Sequence, residues 1–302
     1  MAVYNYKTGQ ILCAVSAPTY DPNDPPEQEL DGMYVNRFVQ GLYTPGSIFK
    51  IVTLAAALEE IPDLTERTFS CTGTYTIGGR NITCEGVHGT QNIREAFCNS
   101  CNCAFAQVSQ LMDGQTLAEY VEKYNVTAKR SFDGLTTPAG SFEAAPDALS
   151  VAWSAIGQYT DQVNPCAFMY FMGAIAGNGQ AAEPYVVQRV SLDGQVSYVA
   201  QTQMGESIMD WQTAQVVQSY MRNNVTVKYG DGNFPGLNVC AKTGTAEHDN
   251  KASTAMFAGF VSDEEYPLAF IICVEEGGYG GSTCVPIASK VLAACKLVLD
   301  GE

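Results

Sequence analysis

Strand-like and helix-like segments are segregated in this chain: strands lie at both ends and helices fill the middle. Met1–Tyr6 and Gln10–Ser16 read as two strands joined by the turn Lys7-Thr8-Gly9. In the last third Val239–Thr245, Ala255–Val261 and Leu268–Val274 are again strand-like, and Asp263-Glu264-Glu265-Tyr266 turns the last two into a hairpin. Between these ends the apolar period becomes helical. Ile48, Ile51, Val52, Leu54, Ala55 and Leu58 form a stripe that starts after Thr44-Pro45-Gly46 and stops at Pro62. Asn92–Met112, Leu117–Tyr124, Asp147–Ile156, Asn164–Ala176, Ile208–Met221 and Val285–Leu299 follow as helices, with Tyr185–Val190 as a further strand. Phe69–Gly89, rich in Gly and Thr, reads as a small hairpin insertion. Strands divided between the two ends share one sheet only if the ends meet. The expected fold is therefore α/β of the α+β type: a mostly antiparallel sheet built from both chain ends, flanked by helices, with an inserted helical lobe. The whole of 1–302 is expected to form one such unit, with the sheet core at about 1–58 and 184–302 and the lobe at about 59–183.

Charge narrows the partners. Against 16 Lys and Arg stand 32 Asp and Glu, a net charge of −16. Such a balance disfavours a phosphate track or an anionic membrane surface, so no nucleic-acid partner is expected. With 46% hydrophobic and 16% charged residues the chain has globular composition. By eye no apolar run approaches the 18 or so residues of a membrane span, Pro165–Gly177 and Pro267–Val274 being the longest candidates, and no cationic leader opens the chain.

Three short constellations can carry chemistry. In Ser47-Ile48-Phe49-Lys50, the spacing puts a hydroxyl and an amine on one face of a helix start. A lysine held neutral by burial can take the proton of a serine and make it a nucleophile. The plain alternative is a serine cap beside a solvated lysine. Ser100-Cys101-Asn102 can set a hydroxyl and an amide beside such a pair, or be an ordinary polar turn. Lys242-Thr243-Gly244-Thr245-Ala246-Glu247 offers a cation, hydroxyls and strand-edge N–H groups to a carboxylate, with Gly244 where another backbone comes close. Its alternative is an edge strand blunted by a lysine.

Together, in this order, the three are the serine nucleophile, Ser-x-Asn and Lys-Thr-Gly motifs of penicillin-recognising enzymes. The resemblance extends along essentially the whole chain. "KTGQILCAVSAPTYDPN", "YTPGSIFKIVTLAAALE", "GVHGTQNIREAFCNSCNCAFAQ", "CAKTGTAE" and "EEGGYGGSTCVPIA" resemble the transpeptidase domain of class B penicillin-binding proteins. That resemblance implies a β-lactamase/transpeptidase-like fold and a serine DD-transpeptidase that cross-links peptidoglycan stem peptides and is acylated by β-lactams. Ser47 would attack the D-Ala-D-Ala carbonyl and Lys50 would accept its proton. Backbone N–H groups of Ser47 and Thr245 would hold the oxyanion, and Ser100 would pass a proton to the leaving amine. Asn102 would orient Lys50, Lys242, Thr243 and Thr245 would receive the terminal carboxylate, and Gly244 would let the peptide lie along the strand. No cofactor and no catalytic metal are implied. Other cell-wall synthesis proteins are implied as partners, at the outer face of the cytoplasmic membrane. The usual anchor and pedestal domain have no counterpart in 1–302. A D-alanyl-D-alanine carboxypeptidase and a β-lactam sensor would use the same residues. No Glu-x-x-Leu-Asn-like segment accompanies the motifs, so rapid hydrolysis of the ester is not expected.

Several features remain outside that set. Cys71, Cys84 and His88 fall in the insertion, where a disulfide, unpaired thiols or a zinc site lacking a nameable fourth ligand stay open. Cys98, Cys101 and Cys103 read as small buried apolar groups. Gly277-Gly278-Tyr279-Gly280-Gly281 lacks the Lys of a phosphate loop and reads as a turn at the edge of the site.

Overall fold

Strands from the two chain ends do meet. The computed structural model, which describes residues 1–248 and 251–301, begins with β1 (Ala2–Asn5), β2 (Ile11–Ala14), α1 (Arg37–Gln40) and α2 (Lys50–Glu60). The insertion follows as β3 (Thr68–Cys71), β4 (Thr74–Ile77), β5 (Arg80–Thr83) and β6 (Gly89–Asn92). Then come α3 (Ile93–Cys98), α4 (Asn102–Ser109), α5 (Gly114–Lys123), the short pair β7 (Ser131–Phe132) and β8 (Leu135–Thr136), α6 (Ala148–Ala155) and α7 (Pro165–Ala176). The chain closes with β9 (Arg189–Leu192), β10 (Gln195–Val199), α8 (Trp211–Asn224), β11 (Val239–His248), β12 (Lys251–Val261), β13 (Leu268–Val274) and α9 (Gly280–Asp300). The main sheet has the order β11-β12-β13-β1-β2. Its pairs are antiparallel, with Val3 opposite Phe270 and Thr243 opposite Phe257.

Both faces of this sheet are covered. Along β12, Met256, Ala258 and Phe260 enter one core, while Ala255, Phe257 and Val261 enter the other. Strands buried on both sides are apolar runs rather than alternating ones, which is how these segments read in the sequence. One face carries α7, buried through nearly its whole length. Asn164 starts that helix by accepting from the Cys166 N–H and donating to the Val39 and Gly41 carbonyls. A Cβ on Gly173 would lie 1.9 Å from the Tyr4 hydroxyl oxygen, so only glycine lets β1 sit this close.

The other face carries α9, which differs from the sequence expectation. Its 21 residues are long and apolar enough for a membrane span, with mean hydropathy 1.5. Alanines, cysteines and valines diluted by Lys290 and Lys296 hid that character by eye. Cys284, Val285, Ala288 and Leu292 pack it onto the sheet. Two further segments depart from expectation. Asn92–Met112 is not one helix: α3 ends at Cys98, and Ser100 takes φ 53° before α4 begins. The two helices share one apolar stripe, so periodicity did not show the break. The strand expected at Tyr185–Val190 is reduced to a bridge from Tyr185 to Gln10, and the paired strand begins only at Arg189.

Asp161 is buried at 1% exposure. Loss of hydration pushes its carboxyl up to about 8. The folded state thus prefers the protonated acid, and stability is lost as pH rises from near 4 toward 8. Asp161→Asn cannot ionise. Its melting temperature relative to wild type should therefore rise by a few degrees between pH 5 and pH 9, by calorimetry, whereas a pH-independent difference would contradict this.

Candidate active site

The first motif is built by a change of helix type. Gly46–Phe49 forms a 3-10 turn that feeds directly into α2 at Lys50. With three residues per turn, positions i and i+3 eclipse, so Ser47 and Lys50 stack on one side. Lys50 Nζ lies 2.8 Å from Ser47 Oγ. Ile48 and Phe49 anchor the turn in the core, and Thr53 Oγ1 donates to the Ala155 carbonyl to fix α2 against α6.

The second motif closes over that amine from the bend between α3 and α4. The left-handed backbone at Ser100 turns its carbonyl to within 2.9 Å of Lys50 Nζ and its hydroxyl to 3.3 Å. Asn102 Oδ1 lies 2.6 Å from the same nitrogen. The amide orientation is set on its far side, where Asn102 Nδ2 donates to the Thr83 carbonyl on β5 at 2.9 Å. Lys50 is fully buried. Loss of hydration lowers its amine to about 8, against a smaller upward pull from nearby thiols and Glu85. The same partners can satisfy the neutral amine, the form that serves as base. A neutral amine has two N–H donors and one lone pair. The two neighbours that can only accept, the Ser100 carbonyl and Asn102 Oδ1, take the two donors. The lone pair is left for the Ser47 hydroxyl proton.

Lys242 of the third motif reaches the same bend from β11. Its Nζ donates to Ser100 Oγ at 3.0 Å and to the Thr243 carbonyl at 3.0 Å. It too is fully buried, and burial first, then the neighbouring Lys50, holds its amine well below the usual lysine range. Ser100 Oγ thus sits between the two amines.

β11 is the edge strand, and its direction of donors is legible from its contacts. The Thr243 N–H donates to the Tyr229 hydroxyl at 3.0 Å, on the side away from β12. Residues two apart point the same way, so Thr245 also turns its backbone outward. Consistent with this, the Thr245 carbonyl accepts from Gln158 Nε2 at 3.3 Å. A Cβ on Gly244 would lie 2.9–3.1 Å from Ile48 Cγ2, the Pro45 carbonyl and the Ile48 nitrogen. Glycine is therefore needed here for the approach of the Ser47 turn.

All three motifs open into one cleft of about 580 Å³, with Ser47, Ser100, Asn102, Thr243, Gly244 and Thr245 in its wall. Lys50 and Lys242 lie beneath that wall. Gly278, Tyr279, Gly280 and Gly281 form its rim, as the glycine-rich turn suggested. Sequence reasoning missed Tyr229, Gln158, Trp153 and Glu85, which carry no motif and arrive from separate loops and helix ends.

Residues 1–293 match the penicillin binding protein transpeptidase domain, and the chain belongs to that family. It is 28% identical to the peptidoglycan D,D-transpeptidase PbpA of Mycobacterium tuberculosis over 328 aligned positions, covering 98% of this chain and 66% of that protein. The chain thus spans just under two thirds of that relative. The D,D-transpeptidase domain of a peptidoglycan glycosyltransferase from Eggerthella lenta superposes with a TM-score of 0.86 at 28% identity, over 99% of this chain and 78% of that one. The ceftriaxone acyl-enzyme complex of penicillin-binding protein A from M. tuberculosis shares the fold, with a TM-score of 0.88 at 24% identity over 97% of this chain and 73% of that chain.

The Lys50 amine sets a pH dependence. Below about 8 most of it carries the proton that blocks its service as base. The second-order rate of labelling by a fluorescent penicillin should climb about tenfold from pH 6 to pH 7 and level off above about 8. A rate flat from pH 6 to pH 9 in stopped-flow measurements would contradict this.

Proposed function

We propose that this chain is the transpeptidase domain of a class B penicillin-binding protein, a serine DD-transpeptidase acting on peptidoglycan stem peptides. The observation that carries the reading is the buried Lys50 amine, within hydrogen-bond reach of Ser47, Ser100 and Asn102 at once. Membership in the transpeptidase family and the naming of PbpA as a peptidoglycan D,D-transpeptidase support it.

Ser47 Oγ attacks the carbonyl of the penultimate D-alanine as its proton passes to Lys50 Nζ. The tetrahedral oxyanion is held by the N–H groups of Ser47 and Thr245. Ser100 Oγ, set between the two amines, relays a proton to the leaving D-alanine nitrogen, and the C–N bond breaks. Lys242 and the hydroxyls of Thr243 and Thr245 receive the terminal carboxylate. An amine from a neighbouring stem then attacks the Ser47 ester, gives up a proton through the same groups and leaves as the cross-linked product. A β-lactam enters the first half of this sequence and stays as the ester. Side chains of this chain carry every proton and acyl transfer, so the reaction enlists no cofactor.

The proposed domain comprises the sheet core, about 1–58 and 184–302, and the lobe, about 59–183. It works at the outer face of the cytoplasmic membrane, with an N-terminal anchor and other cell-wall synthesis proteins belonging to the full-length enzyme.

Incubation with benzylpenicillin should add the mass of one intact antibiotic, mapped to Ser47, and Ser47→Ala should abolish the adduct. An adduct persisting at another serine would move the nucleophile. With a pentapeptide stem, D-alanine release should depend on an acceptor amine and yield a cross-linked dimer. Release to water alone would identify a carboxypeptidase. Lys242→Ala should slow acylation by about tenfold or more while the melting temperature changes little; a large melting loss with unchanged acylation would contradict its role.

A further inference from the structure

Beside the cleft, four soft ligand atoms converge with no role in acyl transfer. Cys71 ends β3, Cys84 follows β5, His88 precedes β6, and Cys101 is the middle residue of the Ser100–Asn102 bend. Their sulfurs and a ring nitrogen of His88 all lie within 4.8 Å of one another. His88 Nδ1 is 3.5 Å from Cys71 Sγ and 3.5 Å from Cys84 Sγ, and Cys84 Sγ is 3.8 Å from Cys101 Sγ. A tetrahedron with Zn–S of about 2.3 Å and Zn–N of about 2.0–2.1 Å has S···S edges of about 3.8 Å and S···N edges of about 3.5 Å. These three of the six edges have those lengths, and the other three lie within 4.8 Å. A disulfide would instead need sulfurs about 2.05 Å apart, and all eleven cysteines are free.

We propose that Cys71, Cys84, His88 and Cys101 bind one zinc ion, which fastens the β3–β6 insertion to the bend that carries Ser100 and Asn102. Three thiols lose their protons to solvent on binding, and the imidazole binds neutral through Nδ1. The Cys101 sulfur also caps α4, accepting from the Ala104 N–H at 3.4 Å, which fixes its position at the head of that helix. Four protein ligands fill the tetrahedron and leave no position for water, so the ion is structural. The fourth ligand lies 13 residues beyond His88, in a different element, which is why spacing did not name it. The nearby Cys103 is not a member, its thiol directed at the Ile82 carbonyl.

The consequence reaches the acyl-transfer groups through the backbone on either side of Cys101. Asn102 is also fixed from the insertion, through the Thr83 carbonyl one residue before Cys84. The metal and that hydrogen bond therefore clamp the same bend.

The test is metal content of the whole chain purified with a non-thiol reductant and no chelator. Plasma mass spectrometry should find about one zinc per chain, and Cys84→Ser/His88→Ala should lose it while Cys240→Ser retains it. Should the double variant fail to fold, cobalt(II) exchanged into wild type should give the intense visible bands and thiolate charge-transfer band of a tetrahedral sulfur-rich site. Stripping the ion should speed hydrogen exchange in residues 82–89 and 99–104. Less than a tenth of a zinc per chain with free thiols, a Cys84–Cys101 disulfide, octahedral cobalt spectra or unchanged exchange at the bend would each overturn the proposal. Metal content is read without reference to acylation, so its failure leaves the transpeptidase reading intact.

Discussion

A lysine amine removed from water and offered only oxygen neighbours is the constraint around which this molecule is arranged. In water Lys50 would hold its proton at any physiological pH. Sealed beneath the cleft it meets two acceptors that cannot donate and two hydroxyls that can, those of Ser47 and, at the longer distance, Ser100, and among the described residues no carboxylate hydrogen-bonds to it. That set of partners satisfies the neutral amine and leaves its lone pair on Ser47. Lys242 adds a second amine against Ser100 without supplying a counter-charge. The cost of burying both is met by the packing of the surrounding elements rather than by ion pairing.

Each surrounding element has a part in sealing that amine. The 3-10 turn brings Ser47 over Lys50, the left-handed Ser100 brings down a carbonyl and a hydroxyl, and β5 fixes the Asn102 amide. β11 closes the last side, and it approaches the Ser47 turn closely because Gly244 has no side chain. β11 can bear this load because it is backed by β12 and β13, and these by β1. The first strand of the chain is thus a structural support for chemistry whose residues lie about 40 to 240 positions later. The sheet's two buried faces, with α7 on one and α9 on the other, make that support rigid.

Much of this was legible in the sequence. Strands at both ends stood out because burial on both faces selects β-branched and aromatic runs, and the three motifs were visible because each is contiguous. What was hidden was hidden for physical reasons. The bend at Ser100 interrupts two helices that share one apolar stripe, so hydrophobic period continues across it. Tyr229 and Gln158 hold β11 at Thr243 and Thr245 from separate elements and belong to no pattern. α9 passes for a membrane span by composition, and only its packing on the sheet shows where its apolar face goes. Cys101 read as a buried apolar group because its partners lie in another element.

The central claim is that burial in the intact fold brings the Lys50 amine down to about 8, so that a working fraction of it is uncharged near neutral pH. Lysine labelled with 13C at Cε and 15N at Nζ reports this directly by NMR, with Lys50→Arg assigning the resonance. The account predicts that the Lys50 signal titrates near 8, well below the other lysines. A Lys50 signal that stays protonated until pH 10 or above in the folded protein would contradict it.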